Sequence, residues 1–181
     1  MNVINPTFIR DSTNSDIFPQ PLPGEIFLIR REGVECELRS SSYGKLSGTG
    51  VVFLTNQRMV FHSKASNSRS NFMGFQVRLQ EMESLKFHQP VFGSNYLEGL
   101  SCSENFRDPW KIWFKSGGCG TFLPALSNSI QLCSTSHQTF NNSVHVIPAF
   151  DAKVVAYIDP NDPSVVYTQQ PKLVTGRSLA E

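Results

Sequence analysis

Two glycine-rich stretches, four histidines and a few paired carboxylates are where this chain could do chemistry. Gly48-Thr49-Gly50 offers the start of a phosphate cradle, in which successive backbone N–H groups would wrap an anion. Such cradles open a helix and carry further glycines, whereas this one runs straight into the apolar run Val51–Leu54. It reads as a strand bend or a close backbone approach. Gly117-Gly118-Cys119-Gly120 sets a thiol on a sharp turn, which invites a nucleophile. The strained elbow that exposes a nucleophile needs glycine two residues to either side, and Thr121 fills the second place. A turn with an incidental cysteine is the expectation.

The histidines, His62, His88, His137 and His145, have no partner at metal-ligand spacing. Glu35 and Glu37 alternate along one strand face, and Glu81 and Glu83 do the same. Carboxylates in that arrangement are mostly solvated, with nothing to set one as acid and the other as base. No catalytic residues, metal ligands or cofactor are assigned, so the chain is not expected to be an enzyme.

The elements that carry these residues are short. Of 181 residues, sixteen are basic and fifteen acidic, a net +1 that supplies no strong field for nucleic acid. The four cysteines are widely spaced and fit reduced thiols in an intracellular compartment. No stretch approaches membrane-spanning length, and the start has no apolar leader; a soluble chain is expected. Residues 1–23 read as a flexible tail ending in the proline-rich "PQPLPG", and residues 139–181 as a largely irregular second tail. Between them, residues 24–138 alternate in strand fashion. "EIFLIRREGVECELR" looks like two strands joined at Glu32-Gly33, and "VVFLTNQRMVFH" like two more around Thr55-Asn56-Gln57. About seven strands are expected, then one helix entered near Pro124, with Leu126, Ile130 and Cys133 as its apolar stripe. From Ser116 to Phe150 no charged residue occurs.

Binding is the remaining class of function. Arg30, Arg31, Lys45, Lys64 and Arg69 fall near turns, and gathered on one rim they would attract anionic head groups at roughly 1 kcal/mol each. Trp113 and Phe114 adjoin, so one faces in and one out. The connection "QPVFGSNYLEGL" is unusually apolar for a loop. Pro90 stops a strand and Gly93 allows the reversal. Phe92 then either folds back to plug the sheet edge, the favoured reading, or docks a partner together with Tyr96.

Several of these stretches carry a resemblance. "GTGVVFLTNQRMVFHS", "SNFMGFQV", "HQPVFGSNYLEG" and "WKIWFKSGGCGTF" occur in the order found in GRAM domains of the WW domain-binding protein 2 group. The resemblance covers about residues 24–136 and implies a mainly β, pleckstrin-homology-like fold: a bent seven-stranded sheet or barrel capped by one C-terminal helix. It further implies an adaptor that binds other proteins in nucleus and cytoplasm, in some members as a transcription coactivator associated with chromatin. Anionic phospholipids, phosphoinositides among them, are the alternative ligands. That group grips WW domains through P-P-x-Y. Here Tyr167 follows Val165-Val166, with Pro163 four residues before it, so WW binding is not implied.

Overall fold

The computed structural model describes residues 4–10, 16–64, 71–103, 106–138, 157–159 and 162–167. Its centre is an antiparallel sheet built from β3 (Phe27–Ser40), β4 (Gly44–Thr55), β5 (Arg58–Ser63), β6 (Gly74–Arg78), β7 (Met82–His88), β8 (Tyr96–Cys102) and β9 (Arg107–Phe114). The spatial order is β6-β5-β4-β3-β9-β8-β7. Consecutive strands β6 and β7 therefore lie at opposite edges, joined only by the single turn Leu79–Glu81. The sheet must curl to allow this, and the result is a half-barrel. One helix, α1 (Cys119–Gln138), packs against that turn and against β3 and β4.

The alternation in the sequence becomes an inside and an outside. Val34, Cys36 and Leu38 of β3 face inward with Leu97, Trp110, Ile112, Phe61 and Phe75, and Phe122, Ala125 and Leu126 of α1 close the end. The expected stripe holds, since Ile130 and Cys133 pack on the same core. The helix begins earlier than Pro124 suggested. Gly117 and Gly118, both at positive φ, reverse the chain, and α1 starts at Cys119 with Pro124 inside it. Phe114 turns inward and Trp113 outward, as adjacency requires.

Glu32-Gly33 is not a turn between two strands. β3 runs through it, and the register with β4 slips between Arg31 and Val34. Gly33, at φ 62°, makes a bulge where a hairpin was expected. A second irregularity falls on the edge strand β7, whose register with β8 breaks between Glu83 and Lys86, with Ser84 at φ 53°.

The N-terminal stretch is also different from the expected tail. β1 (Phe8–Arg10) pairs with β2 (Ile17–Pro19), and this hairpin lies on the outer face of the sheet. Phe8 and Phe18 are buried there with Phe27, Val51, Phe53 and Val60, forming a second apolar cluster. Phe18 meets Phe53 and Phe27 at ring-centroid distances of 5.4 and 5.7 Å. Ile4 bridges to Phe75 and Asn5 N–H donates to the Gly74 carbonyl at 2.8 Å, so the segment also lines the β6 edge. Of the expected C-terminal tail, only the antiparallel pair β10 (Tyr157–Asp159) and β11 (Asp162–Tyr167) lies within the described residues.

The turn Thr55–Gln57 is held by a buried ion pair. Glu25 is 0% exposed and Arg58 3%. The Glu25 carboxylate accepts from Arg58 Nε at 2.7 Å and Nη2 at 2.9 Å, from Thr55 Oγ1 at 2.8 Å and from the Leu22 N–H at 2.7 Å. Arg58 also donates to the Gln20 carbonyl at 2.7 Å and to Gln76 Oε1. Asn56 and Gln57 add bonds to Gly24 and Pro23. The proline-rich entry is thereby tied to β5 and β6.

Candidate functional site

The residues that could have done chemistry are placed in structural roles. Gly48 to Gly50 lie within β4, and a Cβ on Gly50 would come 1.9 Å from the His62 carbonyl oxygen, so Gly50 is a close backbone approach. Cys119 opens α1 with its side chain buried, and burial pushes its thiol up to about 11, far from a nucleophile's range. His62 sits on the outer face with its ring 4.4 Å from Phe8. Burial, helped by Lys64, holds it below its ordinary value of 6.5. The side chain of His137 and the whole of His145 lie outside the described residues. Among the described residues no three metal-type side chains come together.

The four described basic candidates do not share one rim. Arg30 is on the outer face beside Phe18 and pairs with Asp16 at 3.2 Å and Glu32 at 2.8 Å. Arg31, the next residue, is on the inner side, 5% exposed, its guanidinium against Gly118 at the start of α1. Lys64 joins Arg30 through the shared Glu32, which it meets at 2.6 Å. Those two contacts hold the Glu32 carboxyl below the usual range. Lys45 is at the other end of the β3–β4 hairpin, opposite Arg39, and pairs with Glu37 at 2.9 Å. Fifteen positions separate Arg30 from Lys45, and nine from Arg39, so roughly 30 Å of strand lies between the two groups. Arg69 lies outside the described residues.

The apolar connection is where the structure departs furthest from expectation. Phe92 does not plug the sheet edge: it is 91% exposed, and Val91 beside it is 92% exposed. Gln89 to Asn95 form a finger between β7 and β8, with Gly93 at φ 104° allowing the reversal. Its base is fixed by the Phe114 N–H, which donates to the Asn95 carbonyl at 2.9 Å.

Below the finger, three rings cross adjacent strands on the outer face. His88, Tyr96 and Trp113 are direct cross-strand partners. His88 stacks on Tyr96 with centroids 4.4 Å apart and planes 7° from parallel, and Tyr96 leans on Trp113 at 5.7 Å. The next row is charged: Lys86, Glu98 and Lys111 face one another. Glu98 meets Lys111 and His88, each at 3.0 Å, and Lys111 Nζ stands 5.5 Å over the Tyr96 ring. The hydrogen bond from Lys111, with lesser help from His88, holds the Glu98 carboxyl low. Lys115 pairs with Glu35 at 3.0 Å beside Trp113. Sequence reading named Phe92 and Tyr96 but missed His88, Trp113 and the lysines as their neighbours. The signal available was period two from Tyr96 to Glu98 and from Lys111 to Lys115.

Comparison with known proteins agrees with this architecture. The N-terminal PH domain of Vps36 has the same fold, with a TM-score of 0.53 at 16% identity, over 71% of this chain and 96% of that one. The UPF0664 stress-induced protein of Schizosaccharomyces pombe is 31% identical over 91 residues, 45% of this chain and 49% of that protein. Human WW domain-binding protein 2 is 32% identical over 78 residues, 40% of this chain and 29% of that protein. The aligned stretch thus spans about half of the first and under a third of the second. The GRAM domain model matches residues 12–119, which take in β2 to β9, the finger and the start of α1, and on that match the chain belongs to the GRAM domain family.

Proposed function

We propose that this chain is a non-enzymatic adaptor: a GRAM domain that anchors itself through the Gln89–Tyr96 finger and holds other proteins at that place. One observation carries the reading, the pair Val91 and Phe92 standing almost fully exposed on a rigid sheet. Two adjacent apolar side chains gain nothing from water, and their exposure points to a contact made outside the chain. The four described basic residues first considered for head-group binding are divided among ion pairs, a buried site and the far hairpin tip. They support the anchor less well than the finger does.

The likeness to WW domain-binding protein 2 supports proteins as the partners; nucleus and cytoplasm as the compartments, and a coactivator role, belong to the same proposal. Without a P-P-x-Y sequence, WW domains are not the partners we expect. The test uses Phe92→Ser in the full chain. Its Tm is expected within about 2 °C of the parent, as for an exposed position. Cross-linking in cells should then lose a reproducible set of protein adducts. A Tm fall of roughly 10 °C or more would make the finger a packing element and remove the reading.

A further inference from the structure

We infer that the outer face of β7, β8, β9 and β3 is an interface for a second copy of this chain, the two copies related by a two-fold axis that runs along the strands between β8 and β9. The inference goes beyond the adaptor reading and leaves the finger out of the contact. It is carried by the order of residue types across the sheet. One row, taken strand by strand, is Lys86, Glu98, Lys111 and Glu37, four charges of alternating sign. The row nearer the finger is His88, Tyr96, Trp113 and Glu35. A closed two-fold contact uses the same patch on both copies, so the patch must complement its own reversal. An axis between β8 and β9 exchanges β7 with β3 and β8 with β9. Lys86 then meets Glu37 of the second copy, and Glu98 meets Lys111. In the ring row Tyr96 comes over Trp113, and His88 over Glu35.

The alternation also sets where the axis lies. On β8 it would bring Lys86 over Lys111, and on β9 Glu98 over Glu37, like charges in both cases. In the row beyond, Leu100 exchanges with its cross-strand partner Pro109, and Arg39, two residues past Glu37, comes towards Glu83 of β7. Lys45 on β4 and Lys115 beyond the ring row fall at the rim, where each pairs with a glutamate of its own chain. The face is open: Glu35 and Lys111 keep 44% and 43% of their side chains exposed, although the β10–β11 pair also reaches β3. Two sheets facing each other about 10 Å apart with their strands nearly aligned is ordinary sandwich packing. Four strands by three rows cover roughly 15–20 Å each way, a contact at the small end of specific interfaces. Both fingers leave the same end of such a dimer, so one partner meets two copies of Val91 and Phe92 and gains from both.

The experiment is sedimentation equilibrium of the purified full chain over a range of concentrations. Self-association with a Kd of roughly 10–100 μM is expected for a contact of this size, and added salt should weaken it. Lys86→Glu and Glu37→Lys should each sediment as monomers while keeping the parent's Tm. Mixed in equal amounts the two variants should associate again, because unlike charges then face each other at both ends of the row. Glu98→Lys and Lys111→Glu, mixed in the same way, give the same test at the centre of the face if either of the first two fails to fold. A parent that is monomeric at every concentration overturns the proposal and leaves the face to the β10–β11 pair or to another protein. A dimer that survives both single reversals overturns it as well, and so does a mixture that associates no better than its parts. Phe92→Ser should leave the sedimentation unchanged. Loss of the dimer in that variant would move the contact to the finger and overturn the two-fold described here, whereas the adaptor reading is tested separately by the protein adducts in cells.

Discussion

Replacing Glu25 by glutamine tests the buried ion pair beneath the Thr55–Gln57 turn. The change keeps shape and volume, so no cavity forms. It removes the charge facing Arg58 and puts an NH2 donor where an oxygen accepted. Four donors converge on that carboxylate: two from Arg58, one from Thr55 and the Leu22 N–H, all at 2.7 to 2.9 Å. Arg58 is 3% exposed and cannot turn to water. Leaving one member of a buried pair uncompensated costs about 3–5 kcal/mol. For a domain of this size that is a Tm fall of roughly 10–20 °C. The assay is guanidinium denaturation of the parent, Glu25→Gln, Arg58→Met and the double variant. The double should be less destabilised than the sum of the singles, because the second change removes the group stranded by the first. A Glu25→Gln loss below about 1 kcal/mol, with additive singles, would refute the reasoning. The pair would then be solvated in solution, and the entry segment would be held by its apolar residues alone.

Three other outcomes are expected. Phe18→Ala should cost about 2–4 kcal/mol in chemical denaturation, because the ring is buried against Phe27 and Phe53; a loss under about 0.5 kcal/mol would mean the N-terminal hairpin is not docked. Gly50→Val should abolish cooperative unfolding, since its Cβ would collide with the His62 carbonyl oxygen, and a normal melting curve would count against the β4–β5 register. His62 is held below 6.5 in the folded protein, so the unfolded chain takes up the proton first. Stability should therefore fall as pH drops from about 7 through 6.5 and level off below the folded value. His62→Gln should flatten that part of the profile.

The strands were legible because their apolar residues alternate, and the Thr55–Gln57 turn because its residues punctuate two such runs. Glu32-Gly33 was misread for a physical reason. A glycine at positive φ serves a hairpin and a bulge equally, and only the pairing of β4 with both halves of β3 decides. The N-terminal hairpin has just two apolar pairs, Phe8-Ile9 and Ile17-Phe18, too short to show a period. Its trace was elsewhere: "VVFL" and "MVF" are apolar at successive positions, which a strand needs only when both faces are covered. The spread of the described basic candidates was not legible because strand pairing sets it: Lys64 meets Glu32 across 32 positions, and Lys45 lies at the far end of the β3–β4 hairpin from Arg30. Phe92 was expected inward on the general reluctance of loops to expose aromatics, but it stands 91% exposed.

The two edges of the sheet bear on how this protein behaves when crowded. An open β-strand is a template on which other chains can polymerise. Ile4 and Asn5 occupy part of the β6 edge. The β7 edge is guarded by its break at Ser84, which leaves regular backbone over only Lys86, Phe87 and His88. An incoming strand would find three residues in register, and Lys86 among them. The protein can therefore carry an exposed apolar finger beside that edge while giving cross-β growth too short a seed to start.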